Sequence, residues 1–236
     1  SVTAGNRVVT LVSVTDSGSS NNSATVNHQA TVMVQIPATL IFPATADGII
    51  YNLYGYNSTE GVARVAAGVN PFGSEGPIGK SYLFDNRLFG FFLTTEYGVG
   101  HFGYYDGRSV VDLADLDSVY DPQLSAFAEY NGDLYFTASD GNGQYYHVWR
   151  YRSSDASVTK ISSSLTRTGG YGLAVYNGKL YFGGTTATNT NAPTDLYRWD
   201  GTTLALAPGF NSNAANPGLM MAYNGYLYLT ATPAAQ

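Results

Sequence analysis

The chain has no cysteine, three histidines and 17 acidic residues, so thiol chemistry is excluded and carboxylates, imidazoles and hydroxyls are the first groups to weigh. Asp112, Asp115, Asp117 and Asp121 fall close together. Hard oxygen ligands at such spacing could hold Ca²⁺. The segment lacks the glycine and terminal glutamate of an EF-hand loop, so a solvated acidic loop is the simpler reading. Asp115, Asp117 and Asp121 are the candidate ligands if a metal is bound. Asp140-Gly141-Asn142-Gly143-Gln144 also alternates oxygen donors with glycine, and reads most simply as a turn.

His28, His101 and His147 are far apart, and the last two occupy equivalent places in adjacent repeats, which favours a structural role. Serine, aspartate and histidine are all present, but no G-x-S-x-G elbow places a nucleophile. A glycoside hydrolase would need two carboxylates across its site. The glutamates are Glu60, Glu75, Glu96 and Glu129. Asp85 and Glu129 are the only acids on the innermost strands expected below, and both sit beside the short turns. No convincing catalytic constellation results, and a non-catalytic protein is expected.

Aromatic residues offer a different chemistry. Phe72, Tyr97, Tyr120, Tyr145, Tyr171 and Phe210 fall in the long connections, with Asp121 beside one of them. An exposed ring can lie against the C–H face of a sugar or against a protein, and a tyrosine adds a hydrogen bond. These residues are the candidate ligand-binding set; the alternative is that each ring anchors its own loop.

The elements that must position them repeat. AEYNGDLYF (Ala128–Phe136), AVYNGKLYF (Ala174–Phe182) and MAYNGYLYL (Met221–Leu229) are copies of one hairpin, with LFDNRLFGF (Leu83–Phe91) a weaker one. Asn-Gly supplies the two positive-φ residues of a tight hairpin turn. The residues after the turn, Arg87, Asp133, Lys179 and Tyr226, are 46, 46 and 47 apart. Each copy continues into two further strands, for example DLYRWD and TTLALA, so the unit is four antiparallel strands, here termed a to d. A fixed period in this range with four-stranded units predicts β-propeller blades.

In chain order the repeats fall at about 31–67, 81–114, 124–162 and 172–207, with 219–236 supplying only strands a and b. RVVTLVSVT (Arg7–Thr15) and SATVNHQA (Ser23–Ala30) read as the missing c and d. The expected fold is therefore all-β: a single five-bladed propeller whose last blade is closed by two N-terminal and two C-terminal strands. Arg7–Thr15 would then lie along Tyr226–Thr232, hiding an otherwise open edge. The same N-terminal pair could instead complete a neighbouring copy.

Composition agrees with strands and turns: 20 tyrosines, 27 glycines and only 12% charged residues. A net charge of −6 with no basic cluster argues against a nucleic-acid partner. No apolar run approaches the ~18 residues of a membrane span. Low charge and hydroxyl-rich loops suggest an extracellular or cell-surface setting.

NGKLYF with DLYRWDGT, and NGDLYF with HVWRYR, resemble bacterial surface repeats of the hyalin-like type, clearly from about Ser125 to Gln236. Kelch-like and five-bladed lectin propellers are the wider comparison. The resemblance implies propeller architecture outside the cell and, by itself, no reaction. The two-residue a–b turns and most c–d turns share one end of each blade. The long, dissimilar b–c and d–a connections share the other, where recognition normally sits. The expected function is adhesion or binding of a glycan or surface protein through that end, without a cofactor. The alternatives are a self-assembling subunit of a surface filament or virion appendage, and a five-bladed carbohydrate-active enzyme.

Overall fold

In the computed structural model every regular element among the described residues is a β-strand. The structure describes residues 5–11, 14–15, 23–24, 28–34, 40–45, 51–58, 61–66, 81–93, 100–117, 123–140, 145–189, 192–208 and 216–231. The strands begin with β1 (Gly5–Leu11), β2 (Val14–Thr15), β3 (Ser23–Ala24), β4 (His28–Val34), β5 (Leu40–Thr45), β6 (Tyr51–Asn57) and β7 (Gly61–Ala66). They continue with β8 (Tyr82–Phe84), β9 (Arg87–Leu93), β10 (Gly100–Tyr105), β11 (Val110–Ala114), β12 (Ala126–Tyr130), β13 (Asp133–Ser139) and β14 (Tyr146–Arg152). The last are β15 (Ser157–Lys160), β16 (Arg167–Tyr176), β17 (Lys179–Thr185), β18 (Asp195–Trp199), β19 (Leu204–Leu206), β20 (Met220–Tyr223) and β21 (Tyr226–Leu229). Cα proximity divides the chain into two units, Ser1–Phe42 with Tyr54–Val65, and Pro43–Leu53 with Ala66–Gln236.

In the first unit β1 and β4 form an antiparallel ladder from Gly5↔Val34 to Leu11↔His28, and β2 pairs with β3. This corrects the sequence reading at two points. Residues expected to end one strand and begin the next form the single strand β4. Among the described residues the ladder expected between Arg7–Thr15 and Tyr226–Thr232 is not seen, and β20–β21 stand as a two-stranded hairpin. β5, β6 and β7 form a separate three-stranded sheet in that order.

In the second unit three sheets follow one plan. β8–β11 form one four-stranded antiparallel sheet, β12–β15 the next and β16–β19 the third, each in sequential strand order; β20 and β21 form a two-stranded hairpin. A single pair, Tyr146↔Thr168, links the second and third of these sheets. All four a–b turns carry two residues of positive φ: Asp85 and Asn86, Asn131 and Gly132, Asn177 and Gly178, Asn224 and Gly225. That is the type I′ geometry expected of Asn-Gly, here met also by Asp-Asn. The registers superpose from sheet to sheet, as Leu88↔Tyr105, Leu134↔Tyr151 and Leu180↔Trp199 show, although a longer connection moves the third strand of the last sheet two residues further on.

One strand is longer than its sequence pattern. β16 begins at Arg167, within the stretch expected to be a connection. Arg167 and Thr168 pair with Thr185 and Gly184, then the register shifts before Leu173↔Phe182.

The core lies between sheets, and each interface repeats the last. Phe84, Phe89, Phe91 and Phe102 of the β8–β11 sheet meet Leu134, Phe136 and Tyr151 of the next. Phe102 and Phe136 stack at 4.0 Å between ring centroids. Tyr130 and Tyr135 then meet Leu173, Leu180 and Phe182, and Tyr181 and Leu196 meet Met220, Leu227 and Leu229. A strap marks two of these interfaces. The Tyr130 hydroxyl donates to the carbonyl of the next turn glycine, Gly178, at 2.8 Å, and Tyr176 does the same to Gly225 at 2.9 Å. Phe84 holds the equivalent place without a hydroxyl, and sets its ring edge-on to Tyr151 instead.

Candidate functional site

The first strands of the four successive units in the second part of the chain converge on a cavity of about 440 Å³. Its walls are Ser81 and Tyr82, Ala126 and Phe127, Gly172 and Leu173, and Leu219 and Met220. These pairs recur near one register position, on or just before the first strand of each sheet, toward the end where the long connections arrive. Glycine lets the backbones close in: a Cβ on Gly172 would run into the carbonyl oxygen of Gly218. The walls mix apolar side chains with a nearly equal share of polar surface. The Tyr82 ring stacks on Phe127 at 5.4 Å, and its hydroxyl donates to the Glu129 carboxylate at 3.2 Å. Burial, and then that carboxylate, push the Tyr82 phenol above its ordinary range, so it remains a neutral donor. Such a cavity suits a flat or apolar group held by one or two hydrogen bonds.

A second cluster was not legible from spacing. The His147 Nε2 lies 3.2 Å from Asp140 Oδ1, and Lys160 binds the other oxygen of the same carboxylate. On its far side the His147 Nδ1 lies 3.2 Å from Ser162 Oγ, which accepts the Val148 N–H at 3.0 Å. Burial holds the imidazole below its ordinary range, ahead of the opposing pull of Asp140. A neutral ring satisfies every partner: Nε2–H donates to Asp140 and the Ser162 hydroxyl donates to Nδ1. The arrangement is a Ser–His–Asp line, yet Ser162 is fully buried and its oxygen is occupied by a backbone amide. It ties the β14–β15 edge to the connection after β13 and offers no surface nucleophile. The signal for it was the histidine equivalence: His101, His147 and Asp195 share one register position, opposite Phe92, Ala138 and Gly184. His101 is likewise held by a carboxylate, Asp112 Oδ2 at 2.8 Å.

The two ends of each sheet differ in chemistry. At the short-turn end aspartates cap the c–d turns. Asp200 accepts the amides of Thr202 and Thr203 and the Thr202 hydroxyl, and these bonds pull its carboxyl down to about 2. Asp106 does the same for Arg108 and Ser109 and is also lowered, chiefly by the Ser109 amide. At the other end, Tyr146 donates to Gln123 Oε1 at 2.6 Å, and the Gln123 amide is held by Ser139 Oγ. Tyr145 is half-buried beside them.

Of the residues singled out from sequence, Phe72, Tyr97, Tyr120, Asp121 and Phe210 lie outside the described residues. Tyr171 lies within β16 instead of a loop, because that strand starts early; its side chain lies outside the described residues. Tyr145 alone is seen at the long-connection end. Asp115 is exposed while Asp117 is buried, and Asp112 is taken by His101. Among the described residues no three acidic or histidine side chains gather as metal ligands.

No family model matches the chain, and no curated protein does. Among solved structures it is similar to the Pyrococcus horikoshii acylaminoacyl peptidase (orthorhombic crystal form), with 16% identity and a TM-score of 0.41. That likeness covers 75% of this chain and 27% of the peptidase. It assigns this chain neither a family nor an activity.

Proposed function

We propose that the chain is an extracellular binding module, built of β-propeller blades, that recognises a glycan or a surface protein through its long-connection end. The observation that carries the reading is the contrast between the two ends of each sheet. One end is closed by I′ hairpins and aspartate-capped turns, with little left to bind. The other holds Tyr145, Tyr146 and Gln123 where the long connections meet the strands, and the cavity of mixed polar and apolar lining opens between strands toward that end. Aromatic rings beside sparse hydrogen-bonding groups suit a sugar face.

The propeller reading rests on the recurrence of one register position around the cavity, and on sheet interfaces that repeat. The five-bladed count belongs to the same proposal, with β5–β6–β7 as the first blade and β20–β21 as the last. Closure by the N-terminal strands does not, since β20 and β21 form a two-stranded hairpin that β1 does not join. A glycan array probed with the protein and with Tyr145→Ala and Tyr120→Ala tests the reading. Loss of signal in either variant, with unchanged strand content, supports it; full binding by both removes the proposed face.

A further inference from the structure

Four groups of the β12–β15 sheet, all within the second unit of the chain, meet around one buried imidazole. His147 lies on β14 with 6% of its surface exposed. Its Nε2 faces Asp140 Oδ1, just beyond β13, at 3.2 Å. The other oxygen of that carboxylate takes the ammonium of Lys160, the last residue of β15. On the far side Nδ1 faces the hydroxyl of Ser162, just past β15, at 3.2 Å, and the same oxygen accepts the Val148 amide. The end of β15 is therefore held by two side-chain ties, Lys160 to Asp140 and Ser162 to β14, and the imidazole touches both.

While the ring is neutral, Nε2–H donates to Asp140, the Ser162 hydroxyl donates to Nδ1, and one carboxylate balances one ammonium. A proton can enter only at Nδ1, and it disturbs both ties. Nδ1 becomes a donor, so the Ser162 hydroxyl hydrogen loses its acceptor where nothing is exposed to water. A buried donor left unpaired costs more than its bond contributed. The carboxylate must also serve two cations, and the imidazolium repels the Lys160 ammonium. Asp140 pulls the other way, but burial outweighs it and holds the imidazole below its ordinary range. The charged groups that act on His147 are Asp140, from the end of β13, and Lys160, from β15. Among the described residues none acts on it from β16 or from the β8–β11 sheet.

We propose that His147 is an acid-operated latch on the outer strand β15: once protonated, it lets the Lys160 and Ser162 end of that strand come away while the rest of the sheet stays paired. The proton is taken up more readily in the opened form, where water solvates the charged ring and Lys160 swings clear of it. Opening bares the outer edge of β14 over Trp149, Arg150, Tyr151 and Arg152, a row of backbone donors and acceptors. The preceding sheet has a histidine at the same register position without the device. His101 there sets its Nδ1 against Asp112 Oδ2 at 2.8 Å, so a proton entering at Nε2 leaves that bond in place. Among the described residues no lysine shares that carboxylate. The inference stands apart from the glycan reading, because it involves no ligand.

The test is amide hydrogen exchange of the full chain at about pH 7 and about pH 5, each rate divided by the intrinsic rate at that pH. Protection of the β15 amides should fall by up to about twentyfold, the limit set by an opened imidazole titrating near 6.5. Protection in β11 should hold. In His147→Gln, which cannot take the proton, β15 should be equally protected at both values. In Lys160→Met the acid loss should shrink, because the ring no longer meets a competing ammonium. Unchanged far-ultraviolet circular dichroism shows that each variant is folded; if His147→Gln is not, Lys160→Met carries the same test. Equal β15 protection at both pH values in the parent protein overturns the inference. So does an equal loss in β11, which would mean that the whole unit loosens, and so does a full acid loss in a folded variant.

Discussion

Ser162→Ala is the sharpest probe of how this fold is held, because it removes one atom from a closed network. Ser162 Oγ accepts the Val148 amide at 3.0 Å and reaches His147 Nδ1 at 3.2 Å, with Ser162 and Val148 both at 0% exposure. Without it, the buried amide has no replacement partner, which costs about 1–3 kcal/mol. The lost bond to His147 adds about 1 kcal/mol. The expected destabilisation is therefore about 2–4 kcal/mol, a large share of the stability of an ordinary domain. Urea denaturation followed by tyrosine and tryptophan fluorescence reads this directly. With a slope of about 2–3 kcal/mol per molar, the midpoint should fall by about 1 M. Ser154→Ala, in an exposed turn, should stay within about 0.5 kcal/mol. The network also fixes a pH dependence. His147 is lowered by burial in the folded state, so the unfolded chain takes up the proton first. Its contribution is complete above the unfolded value near 6.5, and is lost as pH falls from there through the folded value. His147→Gln should flatten that part of the profile. A Ser162→Ala midpoint equal to that of Ser154→Ala would refute the argument that a satisfied buried network, and not sheet packing alone, holds the β14–β15 edge.

Other expectations follow from single contacts. Phe136→Ala removes the ring stacked at 4.0 Å on Phe102 and should cost about 3–5 kcal/mol by chemical denaturation, with Phe136→Leu distinctly milder. Tyr176→Phe breaks the strap to Gly225 and should cost about 1 kcal/mol, visible as faster amide exchange in β20 and β21. Asp200 should titrate near 2 by carboxyl-detected NMR; the order it gives its turn should persist above about pH 4 and be lost as pH falls toward that value. Gly172→Val should drive β16 from the Gly218 backbone and destabilise by at least about 1–3 kcal/mol, measured by thermal unfolding.

What the sequence determined by itself is local. Asn-Gly, and even Asp-Asn, dictated I′ hairpins because positive φ at two adjacent positions is cheap for these residues alone. Alternating aromatics dictated the strands, and their step of 46 residues sets His101 and His147 in one register position. Tertiary structure decided what depends on competition between distant partners. Arg167 and Thr168 read as part of a connection, yet they pair with Thr185 and Gly184 and lengthen β16. Ser162 and Asp140 looked like ordinary turn residues; only the pairing of β14 with β13 and β15 brings them to opposite sides of one imidazole. A strand's own sequence records only what it is fit to meet, and not what packs against it.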